Sequence, residues 1–134
     1  MELRAARPVR DLEATARFYC EGLGLRRLGA FEGHDGFDGL FVGPAEAAKR
    51  GAWHLEFTVE RREDAPPLPV PHPEQLLVMY LGSAGAVEAA SARLAAIGVQ
   101  PVEPHNPYWR ARGAPTFADP DGYRVVLFPS AAPV

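Results

Sequence analysis

A proline-rich segment near the middle of the chain constrains its fold more than any other feature. Residues 61–74 read RREDAPPLPVPHPE and contain five prolines. Proline has no backbone N–H donor and fixes its own φ, so neither a helix nor a central strand can run through this segment. The sequence therefore predicts a linker at 61–74, which separates a first module, residues 1–60, from a second module, residues 75–134.

The two modules carry the same order of predicted elements: strand, helix, strand, strand, strand. In the first module the strands are predicted at 3–9, 25–31, 37–42 and 53–59, with a helix from its cap Asp11 to about Cys20. In the second module the strands are predicted at 75–81, 99–103, 114–118 and 123–128, with a helix over 85–97. Glycine and aspartate at 32–36 and 119–122 are typical of tight turns.

Neither module is large enough to form a stable hydrophobic core by itself, so the two are expected to pair. The predicted fold class is α+β, with two paired βαβββ modules. Their mixed sheets are expected to curve around a shared cleft, while the helices cover the outer faces.

Composition excludes several classes of protein. The chain has 134 residues, and its net charge of −3 with a pI near 5.8 argues against nucleic acid as a partner. No apolar run approaches the roughly 20 residues of a membrane span, and no leader sequence is recognisable, so we expect no membrane partner and a cytoplasmic location. The single cysteine, Cys20, excludes an internal disulfide and is interpreted as a small core residue.

The strand at 53–59 alternates cleanly. Leu55, Phe57 and Val59 are predicted to point to one side, and His54, Glu56 and Thr58 to the other. A histidine two residues from a carboxylate could act as an acid or base, which makes His54 and Glu56 the candidate catalytic residues. The alternative places His54 on the cleft rim, hydrogen-bonded to backbone.

Several motifs resemble the vicinal oxygen chelate superfamily, which includes glyoxalase I, fosfomycin-resistance transferases, extradiol dioxygenases and bleomycin-resistance proteins. The resemblance covers nearly the whole chain. It is carried by RPVRDLE at 7–13, FY at 18–19, GLGL at 22–25, HLEF at 54–57 and FADPDGYR at 117–124. It implies the paired-module fold and a cleft that binds a small molecule.

Metal-using members of that superfamily hold their ion with four inward side chains. The resemblance places these positions at Arg4, Glu56, a residue at or beside Leu77, and Val126. Of these, Glu56 alone could bind a metal, because leucine and valine have no lone pair and arginine is always protonated. We therefore expect no metal or other cofactor, although a rearranged site with His54, Glu56 and another histidine stays open.

If Arg4 and Glu56 both face the cleft, two interpretations compete. Arg4 could anchor a carboxylate, phosphate or enolate-like oxygen of a ligand. It could instead form an ion pair with Glu56 that satisfies only the protein itself.

Other polar and aromatic residues lie in predicted loops. Tyr108 and Trp109 could stack on a flat ligand, or could pin their loop to the sheet or fill a dimer contact. His34, His72 and His105 are the histidines from which a rearranged metal site would have to draw. Asp35 and Asp38 lack the spacing of a calcium loop and are interpreted as turn residues.

These residues predict a small-molecule-binding protein that works without the superfamily's usual metal, with Arg4, His54, Glu56, Tyr108 and Trp109 as the ligand-binding candidates. The alternative is a lyase, isomerase or dioxygenase that uses a rearranged metal site or Glu56 as a base. A third reading is a structural or regulatory module whose cleft is filled by its own side chains. Relatives of this size often build their clefts by pairing chains, so a homodimer is expected.

Overall fold

The computed structural model describes residues 1–45 and 53–132, which divide into two units, Met1–Pro69 and Val70–Val134. The first unit contains strands β1 (Leu3–Pro8), β2 (Arg26–His34), β3 (Phe37–Gly43) and β4 (Trp53–Glu60) and helix α1 (Leu12–Ala16). The second contains β5 (Leu76–Tyr80), β6 (Thr116–Ala118) and β7 (Arg124–Phe128) with helices α2 (Ala84–Ala96) and α3 (Tyr108–Ala111). The predicted α+β class is confirmed.

The first sheet has the strand order β1-β4-β3-β2, with β1 parallel to β4 and the other pairs antiparallel. A two-residue turn joins β2 to β3, and its residues Asp35 and Gly36 have φ of 50° and 85°. Positive φ at both positions matches the twist of the flanking strands, which is why aspartate and glycine occur there. The turn predicted at 32–36 is thus confirmed and is shorter than predicted.

Helix α1 begins where the sequence predicts. The Asp11 side chain accepts a hydrogen bond from the backbone N–H of Ala14 at 2.9 Å. The helix then continues as a π-helix over Arg17–Gly22, whereas the sequence predicted one regular helix. The wider turn brings two adjacent large side chains, Phe18 and Tyr19, into the core.

Cys20 lies in this π-helical segment and is half-buried. Burial raises the pKa of its thiol, which therefore stays protonated at neutral pH.

The second sheet has the order β5-β7-β6. Ser83 is the N-cap of helix α2, and its hydroxyl oxygen accepts a hydrogen bond from the N–H of Ala86 at 3.1 Å. The strand predicted at 99–103 is wrong. A single bridge, from the N–H of Val102 to the carbonyl of Thr116 at 2.8 Å, occurs there, because Pro101 and the following Pro104 have no N–H to extend the ladder.

The turn before β7 forms as predicted. The Asp119 side chain accepts hydrogen bonds from the N–H groups of Asp121 and Tyr123, both at 2.9 Å. Gly122 has a φ of 87°, which a residue with a side chain would adopt only at a cost.

Residues 61–75 contain neither helix nor strand.

None of the helices among the described residues combines the length and apolar character that a membrane span requires.

Candidate functional site

The first sheet has one buried face and one face that remains partly exposed. On β4, the side chains of Leu55, Phe57 and Val59 are at most 9% exposed, while the alternating residues His54 and Glu56 are half-buried. The alternation predicted for this strand is confirmed. We call the side that carries His54 and Glu56 the open face.

Strand register brings Arg4 onto the open face. Arg4 pairs with His54 and Ala6 pairs with Glu56 between β1 and β4, and Phe41 of β3 pairs with Glu56 from the other side. Residues paired across neighbouring strands share a face of the sheet. Arg4, His54, Glu56 and Phe41 therefore form one cluster, which we call the Arg4 cluster.

The guanidinium of Arg4 contacts both polar groups of β4. Its Nε donates to His54 Nε2 at 3.0 Å, and its Nη1 donates to Glu56 Oε2 at 3.1 Å. In the first of these bonds His54 Nε2 is the acceptor. No acceptor among the described residues contacts the Nη2 donors of Arg4, so these remain available to a ligand.

Exposure sets the strength of this ion pair. The Arg4 side chain is 53% exposed and that of Glu56 is 15% exposed. A half-exposed arginine retains much of its hydration, so the pair belongs with surface salt bridges of about 0–1 kcal/mol and not with fully desolvated pairs. Arg4 is therefore accessible to solvent as well as paired, and the structure combines features of both interpretations drawn from the sequence.

One aromatic ring contacts the guanidinium, and a second ring contacts the first. The Arg4 Cζ atom lies 5.1 Å from the centroid of the Phe41 ring, within the range of a cation–π contact. Phe31 of β2 lies 5.8 Å from Phe41, centroid to centroid, and covers Gly39, where a Cβ would stand 2.2 Å from the Phe31 ring. Sequence reasoning missed both phenylalanines, because only strand pairing brings Phe41 next to Arg4 and Phe31 next to Phe41.

The residues at the superfamily's metal positions do not fit a metal ion. The lone pairs that a cation would need from His54 Nε2 and Glu56 Oε2 already accept hydrogen bonds from Arg4. A cation at that point would also meet the positive charge of Arg4. In the part of the chain that the structure describes, no three histidine, cysteine or acidic side chains cluster closely enough to hold a metal.

The two remaining metal positions lie in the second unit. Val126 pairs with Val78 and with Thr116, so these three share a face, whereas Leu77 pairs with Val125 on the other. The residue that matches Val126 in orientation is therefore Val78, beside the predicted Leu77. Neither valine offers a lone pair.

The other histidines lie away from the Arg4 cluster or in the second unit. His34 is the last residue of β2. Its Nε2 lies 3.7 Å from Asp35 Oδ2, and both side chains are exposed. His72 and His105 of the second unit contact each other with ring centroids 5.8 Å apart, and His72 Nδ1 accepts from the N–H of Glu74. Neither arrangement belongs to a group of three metal-ligating side chains among the described residues.

Asp38 supports the hairpin that joins β2 and β3. It accepts from the N–H of Gly33 at 2.9 Å and from Arg61 Nε at 2.7 Å. These two bonds lower the pKa of the Asp38 carboxyl below its ordinary value, because both favour the charged form. Asp35 lies in the turn itself, as predicted, whereas Asp38 is the second residue of strand β3, so its interpretation as a turn residue is wrong.

Tyr108 and Trp109 lie in helix α3 of the second unit and not in a loop, as the sequence suggested. Trp109 packs against Tyr108 and against Phe128 of β7, with ring centroids 5.1 and 6.1 Å apart. Its indole N–H is buried and has no hydrogen-bond partner among the described residues. The contact of Trp109 with Phe128 anchors helix α3 on β7. A role of Tyr108 and Trp109 in ligand binding stays a prediction.

Both halves of the chain match domains of one family. Residues 3–58 match the YycE-like N-terminal domain, and residues 74–129 match the YycE-like C-terminal domain. An uncharacterised protein of Bacillus subtilis strain 168, YycE, is 43% identical over 129 residues, which cover 96% of this chain and 88% of the relative.

Solved structures agree with this result. A Bacillus subtilis YycE crystal structure, of unknown function and grouped with glyoxalase/fosfomycin-resistance proteins, gives a TM-score of 0.83 at 40% identity, covering 99% of this chain and 91% of that one. TnmS3, an antibiotic-binding protein from Streptomyces sp. CB03234, gives 0.64 at 27% identity, covering 98% and 96%. The trypanothione-dependent glyoxalase I of Leishmania major gives 0.69 at 20% identity, covering 96% and 85%, a likeness of fold alone.

Proposed function

The chain belongs to the YycE-like family of the vicinal oxygen chelate superfamily, and on that premise we propose that it binds a small anionic molecule without the superfamily's usual metal. The single observation that carries the proposal is the geometry of Arg4. Its guanidinium is held by His54 and Glu56 while its Nη2 donors face no acceptor among the described residues. An arginine fixed in this way is a ready receptor for a carboxylate or a similar oxyanion.

Preorganisation supports the proposal. A free arginine side chain loses rotamer freedom when it binds a ligand, and that loss weakens binding. Here the hydrogen bonds to His54 and Glu56, together with the Phe41 ring, already restrict the side chain. Much of the entropic cost therefore falls on folding and not on ligand binding.

The likeness to TnmS3 is consistent with a binding role. At 27% identity over almost the whole chain, that relative is an antibiotic-binding protein. Its ligand need not be the ligand of this chain, since one fold carries many functions. What the comparison supports is capture of a small molecule by a protein of this fold and size.

The enzymatic alternative is less well supported by the site. A general base needs a lone pair directed at the substrate, and Glu56 Oε2 and His54 Nε2 both direct theirs at Arg4. Glu56 Oε1 is the carboxylate oxygen left for such a role. A lyase or isomerase that uses Glu56 would thus work with one carboxylate oxygen bound to a permanently charged guanidinium.

A thermal-shift screen of small carboxylates, each paired with its uncharged amide, tests the proposal. We expect carboxylates to raise the unfolding temperature, their amides to have little effect, and Arg4→Met to abolish the response. Arg27→Met is the matched control, because Arg27 lies on the other face of the same sheet, is 52% exposed and is likewise paired with a carboxylate, Glu13. Amides that stabilise as well as their acids, or an unchanged response in Arg4→Met, would refute the proposal.

A further inference from the structure

We infer that the ligand is an elongated amphiphilic monoanion, whose carboxylate binds at Arg4 and whose apolar body lies in a pocket beneath linker residues 65–69. The inference rests on the function proposed above and adds the shape and chemistry of the ligand. The pocket, which we call the proline pocket, has a volume of about 510 Å³. Small-molecule sites typically measure about 300–1,000 Å³.

The proline pocket lies at one end of the open face. Pro8 pairs with Thr58, and Phe37 pairs with Glu60, so these four residues continue the face that carries His54 and Glu56. All four line the pocket. The Arg4 cluster and the proline pocket are therefore consecutive parts of one surface on one sheet.

Strand geometry gives the distance between the two parts. Thr58 follows Glu56 by two residues on β4, and Pro8 follows Arg4 by four residues on β1. At about 3.3 Å per residue these separations are roughly 7 and 13 Å. A carboxylate at Arg4 would thus need a body of about that length to reach the pocket, which excludes compact anions from the second contact.

The chemistry of the pocket favours an apolar body. Pro66, Pro67 and Pro69 present carbon surface and no N–H donors, and the half-buried Leu68 lies between them. Proline also restricts the backbone, so this wall is stiff before a ligand arrives. Apolar surface that enters such a pocket leaves water, which is the main driving force for binding hydrocarbon.

The charges near the pocket support the orientation with the carboxylate at Arg4. Glu60 at the rim receives a hydrogen bond from Arg62 Nε at 2.6 Å, so that arginine is engaged. Arg10 also lines the pocket and already interacts within the protein. Arg4 is the arginine of this surface whose Nη2 donors meet no acceptor among the described residues.

Binding of butanoate and octanoate, measured by isothermal titration calorimetry, tests the inference. Each buried methylene is worth about fourfold in affinity, so octanoate should bind at least tenfold more tightly than butanoate if part of its chain enters the pocket. In two-dimensional amide NMR spectra, octanoate should shift Thr58, Glu60 and Leu68, whereas butanoate should shift residues near Arg4 only.

Leu68→Glu should remove the advantage of octanoate and leave butanoate binding within twofold of the wild type, because it places a carboxylate in the apolar wall. Leu28→Glu is the matched control, since Leu28 is 42% exposed on β2 of the same unit and does not line the pocket. Thermal unfolding of both variants checks that each is folded.

The outcomes separate the two proposals. Equal affinities for butanoate and octanoate, with both lost in Arg4→Met, would overturn the elongated ligand and leave anion binding intact. Loss of octanoate binding in Arg10→Met but not in Arg4→Met would overturn the orientation and the anchor together. If neither carboxylate binds the wild-type protein, both proposals fail.

Discussion

The contact between Arg4 and Glu56 gives the sharpest quantitative test of the site. We consider Arg4→Met and Glu56→Gln, which remove the charges and keep most of the side-chain volume. With a distance of 3.1 Å and an arginine that is 53% exposed, we expect a coupling free energy of about 0.5–1 kcal/mol. A pair fully withdrawn from water would instead lose about 3–5 kcal/mol when one partner is removed.

The assay is a double-mutant cycle on the free energy of unfolding, measured by urea denaturation of the wild type, both single variants and the double variant. Because the Arg4 side chain is half-exposed, the coupling should shrink when the ionic strength is raised to 1 M. Arg27→Met, combined with Glu56→Gln, supplies a control pair with no expected coupling, because Arg27 lies on the other face of the sheet and pairs with Glu13.

The same variants distinguish a ligand anchor from a self-satisfied pair. We expect Arg4→Met to weaken carboxylate binding by about 1.5–3 kcal/mol, which is typical of a hydrogen bond to a charged group. Glu56→Gln should change binding less, because the remaining amide oxygen still accepts from Arg4. A coupling of 3 kcal/mol or more, together with unchanged carboxylate affinity in Arg4→Met, would refute the reasoning and leave a purely structural ion pair.

Four further expectations concern the metal, the acid stability, the open face and the assembly. Elemental analysis after purification without added metal should find far less than one equivalent of zinc, nickel, manganese or iron; a full equivalent located at the Arg4 cluster would contradict our assignment of this site. Asp38 has a lowered pKa in the folded protein, so its contribution to stability is present above the ordinary carboxyl pKa and is lost as the pH falls through the lowered value. Asp38→Asn should therefore flatten the acid side of the stability profile, and an unchanged profile would argue against the Arg61 contact. Gly39→Ala should displace Phe31 and lower the free energy of unfolding by about 1–3 kcal/mol in urea denaturation, whereas a neutral effect would show that the ring moves freely. Light scattering should give the mass of a homodimer at micromolar concentration, and a monomer mass would count against it.

Local patterns in the sequence predicted much of the first unit. The alternation on β4, the cap at Asp11 and the hairpin at Asp35 and Gly36 were all readable, because each depends on a few neighbouring residues. The errors also have local causes. Prolines on both sides of Val102 reduced a predicted strand to one bridge, and at Arg17–Gly22 the predicted regular helix widens into a π-helix that buries the adjacent Phe18 and Tyr19.

The sequence by itself determined which chemical groups this protein can use on the open face: one arginine, one histidine and one glutamate. The tertiary structure alone decided how they meet. Arg4 and His54 are 50 residues apart, and the parallel register of β1 and β4 makes them neighbours. A shift of one residue in that register would turn Arg4 to the other face of the sheet. Register depends on the packing of the whole sheet, so the hydrogen bonds that orient the guanidinium, and the donors they leave free, emerge only once the strands are paired.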